Sequence, residues 1–290
     1  MRLSALALST ALAAVTFATS AQANEAAEDE IIVTGQYLYT DQVNALKSPT
    51  PIIDVPQSLS IVTADEIAVR GFSSIGQIID YTPGVNTSQG EGHRDAVVFR
   101  GVRSTADFFI DGVRDDVQYY RALYYLEQVE ILRGPNALLF GRGGTGGLIN
   151  RVTKKGEYGE QFIGFQTSLD TFGAFGLQLD GNFSTSDSSA VRINALYETL
   201  DNHRDFYDGQ RIGFNPTARF ALSPDTTLDL SYEYADHERF IDRGIPTGAD
   251  GFPVEAFEDI VFGDPEANET RLEARILRAT VTQEFSETLK

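Results

Sequence analysis

Arginine, tyrosine and histidine crowd three short stretches of this 290-residue chain, residues 86–95, 103–107 and 115–121, which hold His93, Arg94, Arg103, Tyr119, Tyr120 and Arg121. A guanidinium brings a permanent charge and a flat stacking face; a tyrosine brings a ring and a hydroxyl. The plainer use of these arginines is local pairing with Asp95, Asp107 and Asp116. Other chemistries are poorly served. His93, His203 and His237 are far apart, there is no cysteine, and no H-x3-H or C-x2-C spacing offers a metal site. Acid-rich stretches at residues 236–242 and 264–269 lack the spacing of a calcium loop and read as solvated. No Ser/His/Asp or Cys/His arrangement is suggested by spacing, so no enzyme is expected.

The run from Tyr125 to Lys154 is the most distinctive. A short apolar strand ends at Gly134-Pro135, a helical turn follows, and five glycines fall between Gly141 and Gly147 before a second strand. Such density lets backbones approach closely and permits positive φ. A phosphate loop would need Lys-Ser or Lys-Thr after its glycines, and neither is there. The run instead resembles the end of the plug domain of a TonB-dependent outer-membrane receptor. Residues Asp54 to Thr63 (DVPQSLSIVT) resemble the opening strand of that domain. Tyr81-Thr-Pro-Gly-Val85, Phe99-Arg-Gly-Val102 and Phe109-Ile-Asp-Gly-Val113 follow in the family's order. Within the family, Arg114-Asp-Asp-Val-Gln-Tyr-Tyr-Arg121 is most similar to receptors for catecholate ferric siderophores.

The chain start fits export. Met1-Arg2 precedes an apolar stretch from Leu3 to Phe17 and an Ala21-Gln22-Ala23 site, so residues 1–23 read as a signal peptide. No later segment offers the roughly 18 apolar residues of a membrane helix. A net charge of −19 argues against nucleic acid as a partner. Residues 24–50 read as a flexible leader with one β-favouring island, Glu30-Ile31-Ile32-Val33-Thr34. By itself the island is a recognition strand or an ordinary edge strand. Its place before the first core strand is that of the TonB box in the family.

Residues 51–155 read as a compact α+β unit. Strands are expected at residues 58–63, 97–99, 108–110, 129–132 and 148–152. Thr63 or Asp65 can cap one helix; Ser73 or Ser74 can cap the next, which Pro83-Gly84 ends. From residue 160 the pattern becomes long alternation. Ile163, Phe165 and Leu169, then Val191, Ile193 and Tyr197, fall on one face; Arg192, Asn194, Asn215, Thr217 and Glu233 fall on the other. About six strands result over residues 160–290. Short turns at 186–189, 223–226 and 286–290 alternate with connections at 171–173, 203–209 and 240–268. Alternation alone does not separate a soluble sandwich or lipocalin-like barrel from a membrane barrel. The signal peptide, the loop asymmetry and the resemblance favour the membrane, with apolar residues out and polar residues in.

The resemblance implies an α+β plug followed by an incomplete antiparallel transmembrane β-barrel, six strands of the family's 22, and six strands cannot close around such a plug. The chain is expected to be the N-terminal part of a receptor. The implied partners are TonB with its inner-membrane complex, outer-membrane lipid and a ferric siderophore. The iron travels within that ligand, and no resident cofactor is expected. Outward loops bearing His93, Arg94, Arg103, Tyr119, Tyr120 and Arg121 would bind the ligand. Arg100 and Arg133 would seat the plug against wall glutamates, or pair locally, for example with Glu130. The same motifs would serve cobalamin, haem, carbohydrate or another chelate. A non-transporting docking protein and a non-functional truncated product are the other readings.

Overall fold

The computed structural model describes residues 43–44, 52–88, 92–104, 107–134 and 146–285. The signal peptide, the Glu30–Thr34 island, the turn after Gly134 and the terminal turn at 286–290 lie outside the described residues.

The first region starts with β1 (Ser58–Thr63), as expected. Thr63 ends the strand and begins α1 (Ala64–Arg70), its Oγ1 accepting from the Glu66 amide at 3.3 Å. Ser74 caps α2 (Ile75–Asp80) in the same way through Gln77. That helix stops before the expected Pro83-Gly84, because the Tyr81 and Thr82 amides already turn back to the Ile78 and Ile79 carbonyls. A three-stranded meander follows: β2 (Val85–Ser88), β3 (Ala96–Phe99) and β4 (Val102–Ser104). Then come β5 (Phe108–Ile110), β6 (Val113–Arg114), β7 (Leu126–Arg133) and β8 (Gly147–Thr153). They join β1 in a five-stranded mixed sheet ordered β1-β7-β8-β5-β6, with β5 parallel to β8. Apolar residues fill its core: Ile75, Ile78, Phe99, Phe108, Val129, Ile131 and Ile149 are fully buried. Each such side chain contributes about 1.5–3 kcal/mol. The close approach expected of the glycine run occurs at Gly147, where a Cβ would lie 2.6 Å from the Phe99 ring.

The second region is one six-stranded antiparallel sheet in sequence order: β9 (Gln161–Leu169), β10 (Phe175–Ser186), β11 (Ser189–Asp201), β12 (Asp208–Ser223), β13 (Thr226–Phe240) and β14 (Glu269–Gln283). The short turns join one end. At the other, Asp170 Oδ1 accepts from the Phe172, Gly173 and Ala174 amides and tightens the first connection. β12 starts at Asp208, inside the expected 203–209 loop. Burial in this sheet is inverted relative to a soluble core. Asn182, Asn194 and Asn215 are fully buried, with Arg192 and Glu233 close behind. Ile163, Phe165, Leu169 and Leu277 are 73–79 % exposed. The polar face packs on the first region and the apolar face points away. A soluble sandwich would do the opposite, whereas a wall in lipid needs this arrangement. No helix among the described residues is long and apolar enough to cross a membrane.

The two regions interlock. On β12, a Cβ at Gly213 would stand 2.6 Å from the Tyr124 hydroxyl, so the missing side chain is the notch that admits that ring. Lys154 pairs with Asp180 at 2.8 Å, and Arg192 with Glu157 at 2.5 Å.

Candidate functional site

Between β6 and β7 the chain crosses residues 115–121 with no helix or strand. Backbone bonds from the Asp115 amide to the Phe108 carbonyl at 2.9 Å and from the Asp95 amide to the Tyr119 carbonyl at 3.1 Å anchor it, and one of its own side chains organises what lies between. Arg121 is 2 % exposed, and its Nε donates to Asp115 Oδ2 at 2.9 Å. Nη2 donates to the Val117 carbonyl at 2.6 Å and the Asp115 carbonyl at 3.3 Å; Nη1 donates to the Tyr119 carbonyl at 3.3 Å. The Arg121 amide donates to Asp95 Oδ2 at 2.9 Å, and the guanidinium stacks 3.9 Å from the centre of the Phe108 ring. Burial pushes the Asp95 carboxyl above its ordinary pKa, and Arg121 opposes that shift.

A chain of alternating charges runs from this segment to the wall. Arg151, buried on β8, bonds Asp115 through Nη2 and donates from Nη1 to Tyr125 Oη at 3.0 Å. Tyr125 Oη donates to Glu233 Oε1 on β13 at 3.0 Å, and Arg278 on β14 holds the other Glu233 oxygen. Burial works against the Arg151 cation, but Tyr119, Tyr125, Asp115 and Glu233 hold its pKa well above the ordinary value. Burial also raises the Tyr125 pKa well above its usual range, so its hydroxyl is a donor at neutral pH. The order is Asp95, Arg121, Asp115, Arg151, Tyr125, Glu233, Arg278. Removing one member of such a buried pair typically costs about 3–5 kcal/mol.

Cavities lie on both sides of residues 115–121. Toward the long connections, a space of about 480 Å³ is lined by Asp95, Tyr120, Glu198, Tyr207, Arg211 and Arg239. Arg239 Cζ sits 4.2 Å from the Tyr120 ring centre and 5.8 Å from that of Tyr207, and its Nη2 donates to the Tyr207 hydroxyl. Burial pushes the Tyr120 pKa up to about 12, against the pull of Arg239. Toward the short turns, a space of about 570 Å³ is lined by Arg114, Asp115, Asp116, Lys155, Ser231 and Arg278, among others. The two rings give the cavity flat faces beside a guanidinium, and its lining also carries Asp80, Asp95, Asp170, Glu198 and Asp201.

A family model described as TonB-dependent Receptor Plug Domain matches residues 51–148. The chain carries a TonB-dependent receptor plug domain. It is 30 % identical over 223 residues to the probable TonB-dependent receptor BfrD of Bordetella pertussis, covering 74 % of this chain and 30 % of that protein. It is 29 % identical over 243 residues to the catecholate siderophore receptor Fiu of Escherichia coli K12, covering 79 % and 31 %. The crystal structure of the siderophore receptor PiuA from Acinetobacter baumannii superposes with a TM-score of 0.76 at 25 % identity, over 82 % of this chain and 35 % of that one. The chain thus spans about a third of the length of these relatives. The plug is followed by an open six-stranded wall that does not close among the described residues.

The structure divides the six residues expected to read a ligand from outward plug loops. Tyr120 alone of them lines the outer cavity. Arg94 bonds Gln118, His93 is half-buried, and Arg103 is exposed on β4. Tyr119 and Arg121 correct the expectation. Both are buried, Arg121 is spent on Asp115 and Asp95, and Tyr119 faces the inner cavity, so neither is an outward ligand group. The plainer reading, local pairing, describes Arg121, through Asp95 as anticipated and through Asp115, which was not. Arg133 donates to Ser58 Oγ and Ser60 Oγ at 2.9 Å each, so β1 holds it. Burial, then the nearby Arg100 charge, lowers its pKa. Arg100 is exposed in the β3–β4 turn, at φ 47°. Glu130, the local partner considered for Arg133, accepts from Asn44, Gln128 and Asn150. Sequence reasoning missed Arg239, Tyr207 and Arg151. Arg239 had a signal: it falls in phase with Glu233 and His237 on the polar face of β13.

Proposed function

We propose that the protein containing this chain is an outer-membrane receptor that binds a ferric siderophore and imports it, energised by TonB. The observation that carries this reading is the wall, which buries its polar face against a plug and exposes its apolar face. The names of the relatives support the cargo class: a catecholate siderophore receptor and a siderophore receptor. The Tyr120–Arg239–Tyr207 stack offers flat faces to a ring-bearing chelate. In this reading Glu30-Ile31-Ile32-Val33-Thr34 is the TonB box, adding a strand to the partner's sheet.

The test is rescue of a receptor-deletion strain on a panel of ferric chelates as sole iron source. Growth on one catecholate chelate supports the reading; tight binding of cobalamin with no chelate bound moves it to another cargo. In the whole receptor, Ile32→Pro removes a backbone donor and blocks strand addition. Uptake should be lost while surface binding of the chelate persists. Undiminished uptake would show that the island is not the box.

A further inference from the structure

The inward face of the wall carries a polar row that crosses its strands. Asp180 on β10 stands directly opposite Asn194 on β11, and Asn194 opposite Asn215 on β12. Asn215 Nδ2 donates to the Tyr232 carbonyl at 3.0 Å, next to Glu233 on β13. At both ends of the row the plug is bonded directly. Lys154 pairs with Asp180 at 2.8 Å, and Tyr125 Oη donates to Glu233 at 3.0 Å. The middle is different. Asn194 and Asn215 are fully buried, yet both polar atoms of the Asn194 amide and Oδ1 of Asn215 meet no hydrogen-bonding partner among the described residues. The hydroxyl of Tyr124, the buried plug residue over Gly213, is equally unbonded.

The ladder brings these four atoms together. Gly213 precedes Asn215 by two residues, so both face the plug. Tyr124 Oη stands 2.6 Å from where a Gly213 Cβ would be. Two residues of strand rise about 7 Å, and side chains directly opposite start about 5 Å apart. The gaps between the hydroxyl and the two amides are therefore of the size that a bridging water spans. Burying four such atoms dry is costly. Together they are two carbonyl oxygens, one amide NH2 and one hydroxyl, with no net charge. An anion would meet the carbonyls and a cation the NH2 group, whereas water both donates and accepts. Leu196, opposite Gly213, packs in the apolar core of the plug and closes the site on that side.

We infer that this set is a site for ordered water, in which one or two molecules bridge Tyr124 of the plug to Asn194 and Asn215 of the wall. The seam is held by direct bonds at its flanks and by water at its centre. The Gly213 notch then has a chemical purpose: a side chain there would keep the hydroxyl from the amides. The site belongs to the seam and holds whatever the cargo is.

The test is a crystal structure of the whole receptor at a resolution that shows water, with a second data set from crystals soaked in thallium(I). Expected are one or two waters, each about 2.7–3.2 Å from at least two of the four atoms, and no thallium peak among them. A direct bond between the Asn194 and Asn215 amides, with no water between, overturns the site. So does a thallium peak, which would make it a monovalent-cation site. In the structure of Tyr124→Phe the water nearest the ring should be lost, with the Lys154–Asp180 and Tyr125–Glu233 bonds kept. Waters unmoved in that variant would mean that plug and wall are not bridged there. If the variant does not fold, the parent crystals still decide. No readout involves a chelate, so a receptor that binds none leaves the test intact.

Discussion

The plug and the wall obey opposite burial rules within one continuous chain. In the plug, Ile75, Ile78, Phe99 and Phe108 are hidden and charges are spent on one another. In the wall, Asn194, Asn215 and Glu233 are hidden while Phe165, Leu179 and Leu277 face outward. The plug buries its apolar side chains as a body in water does, while the wall buries its polar ones and turns its apolar face out, as the proposed setting in lipid requires. The lesson is that alternation fixes which residues share a face, while the surroundings decide which face is inside. Polar contacts and fit seat the plug on that face, joined by Leu196 of β11, which packs in the plug's apolar core.

Substitutions on each side sharpen that contrast, and unfolding of the whole receptor in detergent or lipid measures them. Phe108→Ala empties the plug core and the Arg121 stacking face, and should cost about 3–5 kcal/mol. Phe165→Ala, equally aromatic but 75 % exposed on the wall, should change stability little; equal costs would erase the distinction. Leu179→Lys, on the outward face of β10, should cost about 2–4 kcal/mol in a bilayer if it lies near mid-depth. If the lysine is silent in lipid, that face does not meet hydrocarbon. Gly213→Ala pushes a methyl at the Tyr124 hydroxyl and should cost about 1–3 kcal/mol. Tyr124→Leu in the same molecule should recover part of that loss, and additive losses would mean the two do not meet. Smallest is Thr63→Ala, which removes the α1 cap and should cost about 1 kcal/mol.

Much of the fold was legible because its signals are local. Ser58–Thr63 alternates and runs into a capping threonine, and Ser74 precedes an isoleucine repeat, so β1 and α2 could be placed from residues alone. The wall strands were legible for the same reason, being up to 16 residues of unbroken alternation. β2, β4 and β6 were not: β3 and β5 are as short but read as unbroken apolar runs, whereas Val85–Ser88, Val102–Ser104 and Val113–Arg114 each hold a single apolar residue. The site was harder. Residues 115–121 are irregular, and nothing in their sequence says that Arg121 curls inward while Tyr120 faces out. The polar phase of β13 did place Glu233 on the buried side, but its partner Tyr125 is 108 positions away, a pairing only the folded chain makes.

The notch at Gly213 has a bearing on how the wall is assembled. Its neighbours on β12 are Ile212 and Phe214, which point the other way. A slip of one residue in strand pairing would turn the glycine outward and drive a large apolar side chain into the Tyr124 ring. A wrong offset would therefore not fit over the plug, so this one glycine ties the register of the wall to the position of a single plug ring.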